Sequence, residues 1–148
     1  SGLDHEKQEA NAIFDGENYR EVFERDLLEA KQRIVISSSA ISAKKVYDII
    51  KLLKEKQALG VEVTIVTWAF DDYGFGDAAF WMQLHEEMRQ AGFFIKTVKD
   101  SCENFAVIDQ EIIWYGNIHL LGKEKIEDNM MRVQDKKIAA ELLELAFK

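Results

Sequence analysis

A chain of 148 residues, 47% hydrophobic and 31% charged, is long enough to bury one core and too evenly mixed to be disordered. A net charge of −8 excludes a broad basic face gripping nucleic acid, though not a small basic groove or a basic neighbouring domain. No apolar run reaches bilayer length and no signal-peptide pattern opens the chain, so a soluble, cytoplasmic protein without a membrane partner is expected. The lone Cys102 cannot form an internal disulfide, which fits a reducing compartment. Ser1-Gly2 in place of an initiator Met reads as a cleavage scar. Residues 1–14 are assigned to a tag remnant and flexible N-terminus, and residues 15–148 to one domain.

The elements follow in chain order. Tyr19, Val22, Phe23, Leu27 and Ala30 fall at helical spacing after Asn18 and predict an amphipathic helix. Arg33–Ser37 is a short β-branched run that predicts a buried strand, closed by the polar break Ser37-Ser38-Ser39. Val46, Ile49, Ile50 and Leu53 mark a second helix that Gly60 is placed to end. Val61–Trp68 is the next strand. Phe80, Trp81, Leu84 and Met88 predict a third helix stopping near Gly92, and Phe93–Val98 another strand. Two apolar runs, Phe105–Ile108 and Ile112–Tyr115, flank Asp109-Gln110-Glu111 as a hairpin, and Asp135 is placed to cap a last helix bearing Ile138, Leu142 and Leu143. Strands alternating with helices imply an α/β fold, with parallel strands in the first half and a hairpin behind them.

The segment from Cys102 to His119 carries the functional question. Taken alone it needs no function: Asp-Gln-Glu is a turn, Trp114 and Tyr115 suit a sheet, and a lone cysteine is commonly a small buried hydrophobe. Its pattern, however, strongly resembles the phospholipase D superfamily, whose signature is His-x-Lys-x4-Asp followed by Gly-Ser-x-Asn. The aligned positions are Cys102, Asn104 and Asp109, then Gly116, Asn117 and His119. Glu127–Val133 resembles the acidic segment before that family's final helix. Phe23–Ser42 and Leu59–Thr67 resemble its opening helix and first two strands. The likeness runs from about Asp15 onward and is nearest to the PLD-like domains attached to bacterial helicase-type and restriction-type proteins.

The resemblance implies a PLD-like mixed sheet flanked by helices, in a single copy of the repeat. It also implies a site that lies between two copies. A second PLD-like copy or a homodimer is therefore the expected partner, and nucleic acid a further one, contacted through other domains of the parent protein. In the family the histidine attacks phosphorus, a second copy's histidine is the general acid, lysine and asparagine hold the phosphate, and aspartate supports the arrangement. Carried over, Cys102, Asn104, Asp109 and His119 occupy the catalytic positions, and Asn104, Gly116, Asn117 and His119 the phosphate-binding ones. Only Gly116 and Asp109 match the signature. Cys102 would need a cationic setting to act as thiolate, and Glu103 opposes it. Asn104 can hydrogen-bond a phosphate but not neutralise it, and one lost donor commonly costs about 3 kcal/mol in a transition state.

The expected function is thus a binding or pairing domain with a degraded site, non-catalytic on its own. One alternative is a metal-independent phosphodiesterase or nuclease rebuilt around His119, since histidine carries protons near neutral pH. The other is a purely structural dimerisation module. No metal or other cofactor is implied: one cysteine and three scattered histidines lack zinc spacing, and PLD-type phosphodiesterases use no metal in their usual mechanism.

The remaining candidates are weaker. The acidic loop Asp71–Asp77 lacks calcium-loop spacing, although its Tyr73 and Phe75 could stack on bases. The serine run has no triad pattern and reads as a polar turn. His5 falls in the N-terminal tail and His85 on a helix surface or partly buried. Lys44, Lys45, Lys51, Lys54 and Lys56 read as the solvent side of the second helix. Lys123, Lys125 and Arg132, interleaved with Glu124, Glu127 and Asp128, read as a solvated face.

Overall fold

The computed structural model describes residues 11–69 and 78–148. The acidic loop with Tyr73 and Phe75, and His5, lie outside them. The described chain runs β1 (Ala12–Asp15), α1 (Tyr19–Glu29), β2 (Arg33–Ser37), α2 (Ala43–Ala58) and β3 (Glu62–Trp68). It continues through α3 (Ala78–Gln90), β4 (Phe94–Val98), β5 (Asn104–Ile108), β6 (Ile112–Gly116), β7 (Asn129–Gln134) and α4 (Lys136–Ala146). The strands form one seven-stranded sheet in the order β1-β7-β6-β5-β2-β3-β4. β2, β3 and β4 are parallel; β5 runs antiparallel to β2, and the hairpin β5–β6 with β7 and β1 completes an antiparallel half.

Alternation along each strand divides the core between two faces. Ile34, Ile36, Val63, Ile65, Ala106 and Ile108 pack with residues of α1, α2 and α3 in the larger cluster. Val35, Val66, Phe105, Val107 and Ile113 face the other way, where Ala139, Leu142 and Leu143 of α4 cover them. The α4 cap is the expected one: the Asp135 carboxylate accepts from the Ile138 amide at 2.9 Å. Gly60 and Gly92, at φ +98° and +91°, end α2 and α3 where a side chain would be strained.

Four features depart from the sequence reading. The sheet begins at Ala12, ahead of the Asp15 start, because β1 pairs with β7. β7 itself was not expected, since Asn129–Gln134 alternates buried Met130 and Arg132 with exposed or half-exposed neighbours instead of presenting a run of apolar residues. Arg132 is not on a solvated face. It is buried and forms a two-pronged ion pair with buried Asp26 at 2.7 and 2.8 Å, and the Trp114 indole donates to the same carboxylate at 2.8 Å. Lys45 is buried as well, on the inner side of α2. His85 is half-buried, and its Nε2 has no hydrogen-bond partner among the described residues.

Candidate functional site

Strand pairing sorts the signature positions into two places. Asn104 opens β5 directly opposite Gly116, which closes β6, so Cys102, Asn104, Gly116 and Asn117 gather at one end of the sheet. His119 joins them on the loop that follows. Asp109 does not. It lies at the far end of β5, five residues and about 17 Å along an extended strand from Asn104.

The serine run after β2 ties this end together. The buried Ser37 hydroxyl donates to the Glu103 carbonyl at 2.6 Å. Ser38, also buried, accepts from the Leu121 amide at 3.1 Å and donates to the Ala40 carbonyl at 2.6 Å. The Ser39 amide and hydroxyl both donate to Asn104 Oδ1, at 3.0 and 3.2 Å. The polar break is therefore the clamp between β2, the start of β5 and the 119–122 loop, with a parallel bridge from Ile41 to Leu121 extending it. Nothing in the spacing of three consecutive serines distinguishes such a clamp from an exposed turn.

The Cys102 thiol is half-buried, donating to the Ser38 carbonyl at 3.4 Å with the Ser37 hydroxyl 3.8 Å away. Burial pushes its pKa up; the Ser37 hydroxyl opposes this in part, and the Glu103 carboxylate adds a smaller rise. At neutral pH it is a protonated thiol, a poor nucleophile. It borders an open cavity of about 320 Å³ that also takes in Ser37, Lys96, Lys99, Glu103 and Phe105.

Gly116 has a steric reason to be glycine: a Cβ there would come within 2.2 Å of the Asn129 carbonyl oxygen. Its neighbour Asn117 bridges the same strand end. The Asn117 amide donates to the Asn129 carbonyl at 3.0 Å, and Asn117 Oδ1 accepts from the Asn129 amide at 2.7 Å. Asn104 and Asn117 thus each commit the side-chain oxygen to the protein, while neither side-chain NH2 has a partner among the described residues.

His119 is half-exposed. Its carbonyl accepts from the Gly122 amide at 3.0 Å and from the Lys45 ammonium at 2.9 Å. Lys45 also donates to the Tyr19 hydroxyl and to Glu124, so three acceptors satisfy one buried ammonium. Burial lowers the Lys45 pKa, with Glu124 opposing; burial raises that of Tyr19, and Glu124 adds to the rise. The Glu124 carboxyl sits below the usual carboxylate range: burial works against it, but the ion pair with Lys45 prevails. The sequence reading missed Lys45, yet a signal existed. It stands one helical turn before Ile49 and two before Leu53, on the stripe that α2 buries.

Asp109 does a different job. It enters a tight turn in which both Asp109 and Gln110 have positive φ, at 54° and 57°. Its carboxylate accepts from the backbone amides of Lys31, Gln32 and Arg33 at 3.0, 2.8 and 3.1 Å, and its own amide donates to the Arg33 carbonyl at 2.7 Å. It pins the α1–β2 connection to the β5–β6 turn. Among the described residues no group of histidine, cysteine and carboxylate side chains is arranged to hold a metal, and no helix is long and apolar enough to cross a membrane.

A mixed sheet with three helices on one face and one on the other, and with the signature loops at one end, defines an α/β domain of the PLD-like type. Residues 23–146 match the family model described as cardiolipin synthase, PLD-like domain, and the chain belongs to that family. No curated protein sequence matches it. Among solved structures it is similar to Nuc, a phospholipase D family member from Salmonella typhimurium, with 18% identity, a TM-score of 0.71, and 90% of this chain and 89% of that one covered. NucT from Helicobacter pylori gives 12% identity, a TM-score of 0.71 and 92% coverage of each chain. TrmBL2, an archaeal chromatin protein with a novel mode of DNA binding, gives 13% identity and a TM-score of 0.62, over 91% of this chain and 49% of that one. At these identities the likeness establishes the fold.

Proposed function

We propose that this domain holds a phosphodiester at its signature end without cleaving it on its own, as a binding or pairing domain of a bacterial nucleic-acid-processing protein of helicase or restriction type. One observation carries the reading. Asn104 and Asn117 have their oxygens fixed by Ser39 and Asn129, which leaves amide N–H groups for phosphate oxygens. The nucleophile's position is meanwhile held by a thiol kept protonated. Donors without a nucleophile or a neutralising lysine bind an anion; they do not drive its hydrolysis. In this reading the site is a degraded form of the signature, and a second copy facing it adds a second set of donors. The DNA-binding neighbour TrmBL2 supports nucleic acid as the ligand.

A second reading has its own support. His119, two residues after Asn117, is half-exposed and makes no side-chain hydrogen bond among the described residues, so it could serve as base or nucleophile in a rebuilt phosphodiesterase.

The test is hydrolysis of an aryl phosphodiester and of single-stranded DNA in EDTA, alongside DNA binding, for the wild type, His119→Ala and Cys102→Ala. Binding without turnover is expected. Turnover abolished by either substitution would replace the binding reading with the enzymatic one. Dimers with no DNA affinity at moderate salt would leave only a structural pairing module.

A further inference from the structure

On the helical side of the signature end, α1, the start of α2 and the 123–124 loop enclose an open cleft of about 490 Å³. Its charges do not cancel. Arg20 is paired with Glu24 at 2.9 Å and with Asp48 at 3.4 Å, and buried Lys45 is paired with Glu124. Lys44 and Lys123 are exposed on the same cleft and have no carboxylate partner among the described residues. Four cations, Arg20, Lys44, Lys45 and Lys123, stand against three carboxylates, Glu24, Asp48 and Glu124, which leaves one net positive charge, on a chain whose net charge is −8.

The backbone adds donors at the same place. Ser42, which lines the cleft, is the N-cap of α2, but its side chain makes no capping hydrogen bond. The first intrahelical bond is from the Val46 amide to the Ser42 carbonyl, so the amides of Ala43, Lys44 and Lys45 have no intrahelical acceptor. An uncapped helix start beside two free ammonium groups suits a compact dianion or phosphodiester better than a carboxylate, which offers fewer acceptor oxygens. The wall is rigid and shared with the signature end: Lys45, nine-tenths buried, joins Tyr19 and Glu124 to the His119 carbonyl.

We infer that this cleft is a phosphate site, and that it takes a phosphate group of the strand whose neighbouring phosphodiester lies at Asn104 and Asn117. The strand assignment rests on the function proposed above; the cleft itself does not. Its positioning groups are Lys44, Lys123 and the α2 amides, none of which belongs to the signature.

Amide NMR of the intact domain, titrated with pyrophosphate, reads the cleft directly. The Ala43, Lys44 and Lys45 amides are expected to move most, and Lys44→Gln/Lys123→Gln to weaken pyrophosphate about tenfold. Both side chains are exposed, so the fold survives the change, which circular dichroism checks. Binding of a short single-stranded oligonucleotide is followed in parallel as a function of salt. Loss of the one phosphate held there lowers the slope of log K against log salt by about 0.7. Asn104→Ala should weaken the oligonucleotide and leave pyrophosphate alone. Pyrophosphate that moves these amides while the oligonucleotide does not would keep the phosphate site, assign it to free phosphates, and remove the strand. Unmoved amides, with equal affinity of wild type and double variant for both ligands, would overturn the inference even if the oligonucleotide binds.

Discussion

Replacing Asp109 separates a signature residue that builds the fold from one that meets a ligand. Its carboxylate accepts from three consecutive backbone amides, and the residue occupies a left-handed conformation. In Asp109→Ala the bond to the part-buried Arg33 amide is lost at about 1.5–3 kcal/mol, as for a charged acceptor. The exposed Lys31 and Gln32 amides turn to water at about 0.5 kcal/mol each. Alanine in the left-handed region adds about 1 kcal/mol that aspartate largely escapes. The sum is about 3.5–5 kcal/mol, which for a chain of this size lowers Tm on the order of 10 °C. Asp109→Asn keeps one oxygen and tolerates the backbone, so it should lose about half as much. Urea unfolding followed by tryptophan fluorescence measures both. Because Asp109 is about 17 Å from Asn104 along β5, ligand affinity of the folded variants should not change. An Asp109→Ala protein within 1 kcal/mol of wild type, or one that is stable but no longer binds, would refute the structural role.

Two further outcomes follow from buried groups. Arg132→Met strands the Asp26 carboxylate in the core with the Trp114 indole as its one remaining side-chain donor among the described residues. It should cost about 3–5 kcal/mol in chemical denaturation, whereas Asp26→Leu/Arg132→Met should recover most of that loss. For Cys102, a raised folded pKa means that the thiolate forms only at higher pH than in the unfolded chain. Alkylation by iodoacetamide should therefore be slow at pH 7, and its rate should rise at higher pH in native protein than in urea-unfolded protein. A native rate already at its plateau below pH 8 would show an activated thiolate.

How much of this was legible in the sequence depends on the range of the forces involved. Helices and parallel strands were legible because burial imposes a local period, as in Tyr19-Val22-Phe23-Leu27 and in Ile34–Ile36. β7 was not, because the arginine at its centre is made compatible with the core by Asp26, 106 residues earlier in the chain. The same reason hid Lys45, whose burial depends on Tyr19, Glu124 and a carbonyl of the 119–122 loop. Charge was taken as a sign of solvent in both cases, and in both it was matched by a partner no local pattern could supply. The signature positions were found by likeness to a family. Their division into a clamp at Asp109 and a cluster at the opposite end becomes visible only through strand register.

That division bears on how such a site loses or keeps its function. Gly116 and Asp109, the two positions that match the signature, are also the two whose demands are steric and structural: a carbonyl 2.2 Å from a would-be Cβ, and three amides needing an acceptor. In the proposed reading the positions at which chemistry would be carried are Cys102, Asn104 and His119, which differ from the signature, and each meets the scaffold through atoms unrelated to catalysis. Asn104 reaches Ser39 with a carbonyl oxygen that a lysine lacks, and Cys102 fits beneath Ser37 and Ser38 where burial keeps its thiol neutral. Structural constraints at the strand ends therefore fix the backbone around the signature end whatever occupies the reactive positions. In the function proposed above, binding persists there without cleavage, and the proposed phosphate cleft beside Lys44 and Lys123 supplies charge that Asn104 cannot.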